Sequence, residues 1–191
     1  MERDASQLLY DGPIPYNFEP VVIDHRERER PRVRNDGHRR EIELWCQENE
    51  WRTGQSSWCL CGKCQFMPTA EESMCCREVD AYWTLVEKIN PPQPNITCLT
   101  EHPGFEACCL NPYVLQIAYL NFRQEFGPLV ATQHEQYRYT AYRQVVRWAY
   151  GILGRHIRKP IPSCIVSIIR NSFPEQGQYK GFQWANLPNY E

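Results

Sequence analysis

No stretch of this 191-residue chain approaches the roughly 18 consecutive apolar residues of a membrane-crossing helix. Its first residues, MERDASQLLYDGPIPYNF, lack the basic start and the apolar run of a secretory leader. The chain therefore reads as soluble and cytoplasmic, in a compartment that keeps thiols reduced. Also missing are GxxxxGKS or GxxxxGKT, HExxH, a Ser-His-Asp grouping and paired carboxylates. These absences exclude a Walker-type NTPase and the common hydrolytic designs, so the expectation is a non-enzymatic protein. No internal repeat is present, and the NIT at 95 to 97 has no weight as a glycosylation acceptor without secretion.

What is present supports one globular body with loose ends. Hydrophobic residues make up 42% and aromatics 13%, too many for a disordered chain, while 15 prolines indicate much irregular backbone. Residues 1–44 read as a charged tail, disordered or weakly helical. Between Asp24 and Glu41 five acids stand among seven arginines, a mixture that argues against an arginine arm for nucleic acid. Residues 45–185 form the domain and 186–191 a second tail. Within the domain, Val79, Tyr82, Trp83, Val86 and Ile89 recur at helical spacing. A second helix starts with Asn111 as cap and Pro112 at the first position, and stops at Gly127. A third carries Ala141, Tyr142, Val145, Trp148, Ala149 and Ile152 on one face and ends at Gly154. SCIVSIIRNSF, at 163 to 173, suits either a short helix or a β-branched strand. The expected fold is α+β and mainly helical, a small domain with an irregular Cys-rich zinc-binding segment after a disordered N-terminal tail.

The ten cysteines are unevenly spread: WCLCGKC at 58 to 64 is followed by CC at 75 and 76 and by CLTEH at 98 to 102. Zinc takes about four thiolate or imidazole ligands, and Cys-x-x-Cys lets two sulfurs reach one ion without strain, as Cys61 and Cys64 do. Cys59, two residues before Cys61, and the adjacent pair Cys75 and Cys76 crowd the site beyond one ion. Cys59, Cys61, Cys64, Cys75, Cys76, Cys98 and His102 supply seven donors for two ions needing roughly eight positions, so one thiolate bridges. Cys46, Cys108, Cys109 and Cys164 read as core. Spacing of the ferredoxin kind is absent, and no open coordination position is evident, which favours a structural metal over a catalytic one.

Charge is also uneven. From Arg138 to Lys180 there are eight Lys or Arg against the single acid Glu175, in a chain of formal net charge -2. An anionic partner follows from that asymmetry. Arg143 and Arg147 project opposite the apolar stripe of the third helix and suit solvent. Arg138 falls within the stripe, where its guanidinium needs either an acidic partner or a bound anion. GQYKGF, at 177 to 182, is a glycine-flanked turn in which Lys180 could approach phosphate.

Together, WCLCGKCQFMPTAEESMCC, CLTEHPGFEACCL, YRYTAYRQVVRWAYG, IPSCIVSIIRNSFP and GQYKGF resemble the cytoplasmic C-terminal, or ballast, domain of the subtype 7 P2X purinoceptors. The likeness runs from about Trp45 to Phe182. It implies a dinuclear zinc centre on Cys59, Cys61, Cys64, Cys75, Cys76 and Cys98, with His102 replacing a cysteine that family members carry near Ser73. It also implies a guanine nucleotide, GDP or GTP, on Arg138, Tyr139, Tyr142, Lys159, Lys180 and Gly181, with GTP hydrolysis left open. The channel helices and ATP-binding ectodomain have no counterpart here. The expectation is a free-standing zinc module acting through unknown protein partners; the alternative is a nucleic-acid-binding zinc protein.

Overall fold

A computed structural model of the chain describes residues 35–153, 157–175, 179 and 181–183. The expected tails at 1–34 and 186–191, and Lys180, lie outside them. All regular elements among the described residues are helical, so the β component of the expected α+β fold is not found. The helices are α1 (Asn35–Glu48), α2 (Asp80–Glu87), α3 (Pro103–Phe105), α4 (Pro112–Phe126), α5 (Gln133–Tyr150) and α6 (Ser163–Ser172). Helix α1 takes in the last ten residues assigned above to the tail. None of these helices is long and apolar enough to cross a membrane.

Helix α5 is central and touches α2, α4, α6 and the π-helical turn Glu106–Leu110 that continues α3. Its start was readable as a capping box. The Thr132 hydroxyl accepts from the Glu135 backbone N–H, and the Glu135 carboxylate accepts from that of Thr132. The helix stops three residues earlier than expected, at Gly151, whose φ of 70° a side-chain-bearing residue adopts only with strain. Ile152 is consequently outside the helix and exposed, while Ala141 and Val145 are buried as the stripe requires. Helix α4 has the expected ends: the Asn111 side chain accepts from the Tyr113 and Val114 backbone N–H groups, and Gly127 follows Phe126.

The ambiguous segment resolves as helix α6 because both of its faces find apolar partners: Cys164, Ile165, Val166 and Ile169 are all buried. Each isoleucine so buried contributes about 1.5 to 3 kcal/mol. The start of α6 is fastened to the Cys-rich segment. The Ser163 hydroxyl donates to the Gln65 carbonyl at 2.6 Å and accepts from the Gln65 N–H at 2.9 Å, and the Ser163 N–H donates to the Met74 carbonyl at 3.0 Å. The core of Tyr82, Leu99, Phe105, Leu115, Val145, Ile165 and Ile169 is continuous with five buried cysteines of the same cluster, Cys61, Cys75, Cys76, Cys98 and Cys164.

Since Asn111 caps α4 through two backbone N–H groups, Asn111→Ala is expected to lower stability by about 1 kcal/mol in urea denaturation. An unchanged midpoint would show that the cap contributes nothing.

Candidate metal centre

The Cys-rich segment has no regular structure because its backbone turns around its own sulfurs. The Gly62 and Cys64 N–H groups both donate to Cys59 Sγ, at 3.2 and 3.4 Å, and Gly62 makes the reversal at a φ of 74°. This loop brings Cys59, Cys61 and Cys64 to Cys75, with their four sulfurs within 4.8 Å of one another. A second group meets the same limit: Cys61, Cys76, Cys98 and Cys164. Cys61 belongs to both.

The spacing fits a metal. A tetrahedral site with Zn–S bonds of about 2.3 Å has S···S edges of about 3.8 Å. Cys59 to Cys61 is 3.7 Å, Cys61 to Cys64 is 3.8 Å and Cys76 to Cys98 is 3.7 Å. The sulfurs are free rather than joined as disulfides. Hydrogen bonds from Cys164, and then from Cys64, Cys75 and Cys76, lower the pKa of Cys61. Backbone and side-chain donors add to this polarity: the Leu99 N–H points at Cys76 Sγ, and the Thr100 hydroxyl donates to Cys98 Sγ at 3.1 Å. Glu101 holds the Cys98 turn in place by accepting from the Thr97 and Cys98 N–H groups. Its ion pair with Lys63, helped by those N–H groups, keeps its carboxyl down at about 2.

The structure assembles all six cysteines singled out from spacing, but it differs at the seventh donor. His102 is outside both groups. Its Nδ1 accepts from the Gly104 N–H at 2.9 Å, capping α3, and its ring stands edge-on to Trp148 at 4.8 Å. Burial lowers its pKa, against the opposing effect of a hydrogen bond with the Leu85 backbone. Cys164, read above as core, stands in the second group, with Cys61, Cys76 and Cys98. Ser73, near which the family carries another cysteine, is buried and donates to the Thr69 carbonyl. Of the other cysteines read as core, Cys109 is buried, with desolvation pushing its thiol up to about 12. Cys46 is half-buried with its thiol toward Glu71, and Cys108 is exposed, a correction that follows from its place on the outer side of the π-helical turn.

The expected nucleotide residues separate. Arg138 is 9% exposed, and its guanidinium has no ion pair or hydrogen bond among the described residues. The Tyr142 hydroxyl is buried; burial raises its pKa, and the neighbouring Arg170 and Arg138 oppose that rise. Around them stand residues that sequence reasoning did not assign to this site. Buried Glu72 accepts from the Thr69 hydroxyl at 3.0 Å and from the Tyr179 hydroxyl, while Arg170 lies 4.5 Å over the Tyr179 ring. Gly181 lies so close that a Cβ there would be 3.2 Å from Glu72 Oε2. A cavity of about 220 Å³ opens beside Arg170, Tyr179 and Phe66. Tyr139 points elsewhere, against Phe122, and Lys159 sits 5.5 Å over the Tyr150 ring.

A family model described as the P2X purinoreceptor 7 intracellular domain matches residues 20–183. The chain belongs to that family. No curated protein matches it. The matched range covers the entire cysteine cluster, including Cys164, and the corner around Arg138.

The two donors that distinguish the arrangements have opposite expectations. Cys164→Ser is expected to lower bound metal and to destabilise the fold, whereas His102→Ala should keep the wild-type metal content and lose only its cap and its contact with Trp148. Elemental analysis of the purified variants reads this directly, and metal loss in His102→Ala with full retention in Cys164→Ser would reverse the assignment.

Proposed function

We propose that this domain is a non-enzymatic intracellular module whose fold is closed by two zinc ions on seven thiolates. The ligands are Cys59, Cys61, Cys64 and Cys75 for one ion and Cys61, Cys76, Cys98 and Cys164 for the other, with Cys61 bridging. The observation that carries this reading is the shared sulfur between two tetrathiol groups whose spacings equal the edges of a zinc tetrahedron. Both ions have four protein ligands and no open position, which suits a structural centre and leaves no coordination site for activating water.

On this scaffold the domain binds a guanine nucleotide or a similar phosphate and acts through protein contacts. Support comes from the unpartnered Arg138 guanidinium and the buried Tyr142 hydroxyl, which lie near Arg170. Glu72 in the same corner already accepts two hydroxyl hydrogen bonds, which reduces its repulsion of an anion. The rival reading, a nucleic-acid-binding surface, needs a spread basic stripe. The arginines of α5 suit that less well, since Arg138 is buried, Arg143 stacks on Phe122 and Tyr139, and Arg147 alone of the three is exposed.

Native mass spectrometry of reductively purified protein should find two zinc ions per chain. Titration with labelled GDP should then show binding that Arg138→Ala weakens by at least about tenfold, the equivalent of one charge-assisted contact of 1.5 to 3 kcal/mol. Arg147→Ala should bind GDP like the wild type. Absence of GDP binding by the wild type, with both substitutions weakening a labelled duplex equally, would favour the nucleic-acid reading.

A further inference from the structure

The two metal positions are chemically alike and structurally unequal. All four residues of the group Cys61, Cys76, Cys98 and Cys164 are buried, at 6, 0, 0 and 2% exposure. In the other group Cys59 and Cys64 are only half-buried, and between them the chain exposes Leu60, Gly62 and Lys63. The groups differ equally in what they tie together. Cys59, Cys61, Cys64 and Cys75 belong to one stretch of chain, so an ion among them closes a local loop. The other group joins that stretch, through Cys61 and Cys76, to the turn at Leu99–Glu101 and the first turn of α6. Opening the local loop leaves the helical core packed, whereas opening the second group means separating α6 from its partners.

Building on the two-ion reading above, we propose that the ion held by Cys59, Cys61, Cys64 and Cys75 is a releasable one that hydrogen peroxide expels, while the ion held by Cys61, Cys76, Cys98 and Cys164 stays as the fold's permanent lock. The shared sulfur makes this division workable. When the outer ion leaves, Cys61 ceases to bridge, and the inner ion keeps four thiolates. The reacting sulfurs are the two that solvent reaches, Cys59 and Cys64, which lie within 4.8 Å of each other. Their thiolates give two electrons to one peroxide molecule: a sulfur–sulfur bond forms, the oxygen–oxygen bond breaks, and two protons from solvent complete two waters. The zinc ion departs to solvent, and Cys75 takes up a proton as a buried thiol. A thiol reductant and zinc reverse the change. Disulfide formation needs the two sulfurs to close to about 2.05 Å. Closing that gap moves the turn from 59 to 64, whose Leu60, Gly62 and Lys63 are exposed, whereas Cys75, Cys76, Cys98 and Cys164 are buried.

The test starts from the full chain with its metal content measured by native mass spectrometry. Peroxide is added in the presence of a chromogenic zinc chelator. One zinc per chain should be released, the remaining chain should be two hydrogens lighter, and peptide mapping should place the bridge between Cys59 and Cys64. The helical circular dichroism should be unchanged, and dithiothreitol with zinc should restore the second ion. Cys59→Ser should purify folded with one zinc and release none to peroxide. The proposal is overturned if both ions leave together, if neither leaves, if the bridge involves one of the buried cysteines, or if Cys59→Ser fails to fold or loses both ions. Fewer than two ions before peroxide is added would instead defeat the two-ion reading on which the proposal rests.

Discussion

Seven sulfurs, in two groups of four that share Cys61, are the constraint to which the rest of the domain answers. Thiols buried this close together gain little from one another when neutral, and thiolates repel strongly at such distances in a poorly hydrated interior. The arrangement becomes favourable when cations take the place of the protons, and a structural zinc site can contribute on the order of 10 kcal/mol to folding. This explains why a domain of short helices has so irregular a segment at its centre. Within residues 53–79, which have neither helix nor strand, the Gly62 and Cys64 N–H groups turn onto the Cys59 sulfur instead of onto a carbonyl.

The constraint is transmitted through α6. Cys164 lies in its first turn, and the neighbouring Ser163 binds both backbone groups of Gln65, one residue past Cys64. The helix is thereby fixed to the Cys-rich loop by polar contacts at its start and to the core by Ile165 and Ile169 along its length. Neither fastening replaces the other, since the apolar residues set the depth of the helix while Ser163 and Cys164 set its rotation and register.

How far these relations could be read from the chain depended on distance along it. Cys59, Cys61, Cys64, Cys75, Cys76 and Cys98 were visible because metal sites built from adjacent segments leave a spacing pattern. Cys164 was not visible, since it stands within SCIVSII, where a sulfur is indistinguishable from ordinary packing until the fold brings it across. His102 had attractive spacing from Cys98, but Pro103 starts a helix directly after it, and the ring serves that helix as a cap. Helix α4 was readable from its end signals, Asn111, Pro112 and Gly127, and α5 from its apolar period. The true start of α5 was also written in the sequence, since Thr132 and Glu135 make a capping box. The π-helical turn at Glu106–Leu110 had no periodic signature, and the helical state of α6 was settled by burial on both faces, which a single chain does not reveal.

The metal corner and the Arg138 corner share more than proximity. Cys164 and Arg170 are both on α6, and at a rise of about 1.5 Å per residue they are roughly 9 Å apart along its axis. Glu72, which receives the Tyr179 hydroxyl, is three residues before Cys75 and is joined to it by the turn through Ser73 and Met74. Two connections therefore run from the sulfurs toward Arg138 and Tyr142: one along the helix axis to Arg170 and one along the turn to Glu72. Of the two corners, the sulfur cluster receives hydrogen bonds from backbone and hydroxyl donors, while the other retains a buried guanidinium with no hydrogen bond or ion pair among the described residues, a state that costs free energy wherever it occurs. Proteins keep such unsatisfied groups in place only when the surrounding framework is stiff enough to prevent their collapse onto each other or onto solvent. Here the framework beside that corner consists of α6, which carries Cys164, and the turn that leads from Glu72 to Cys75.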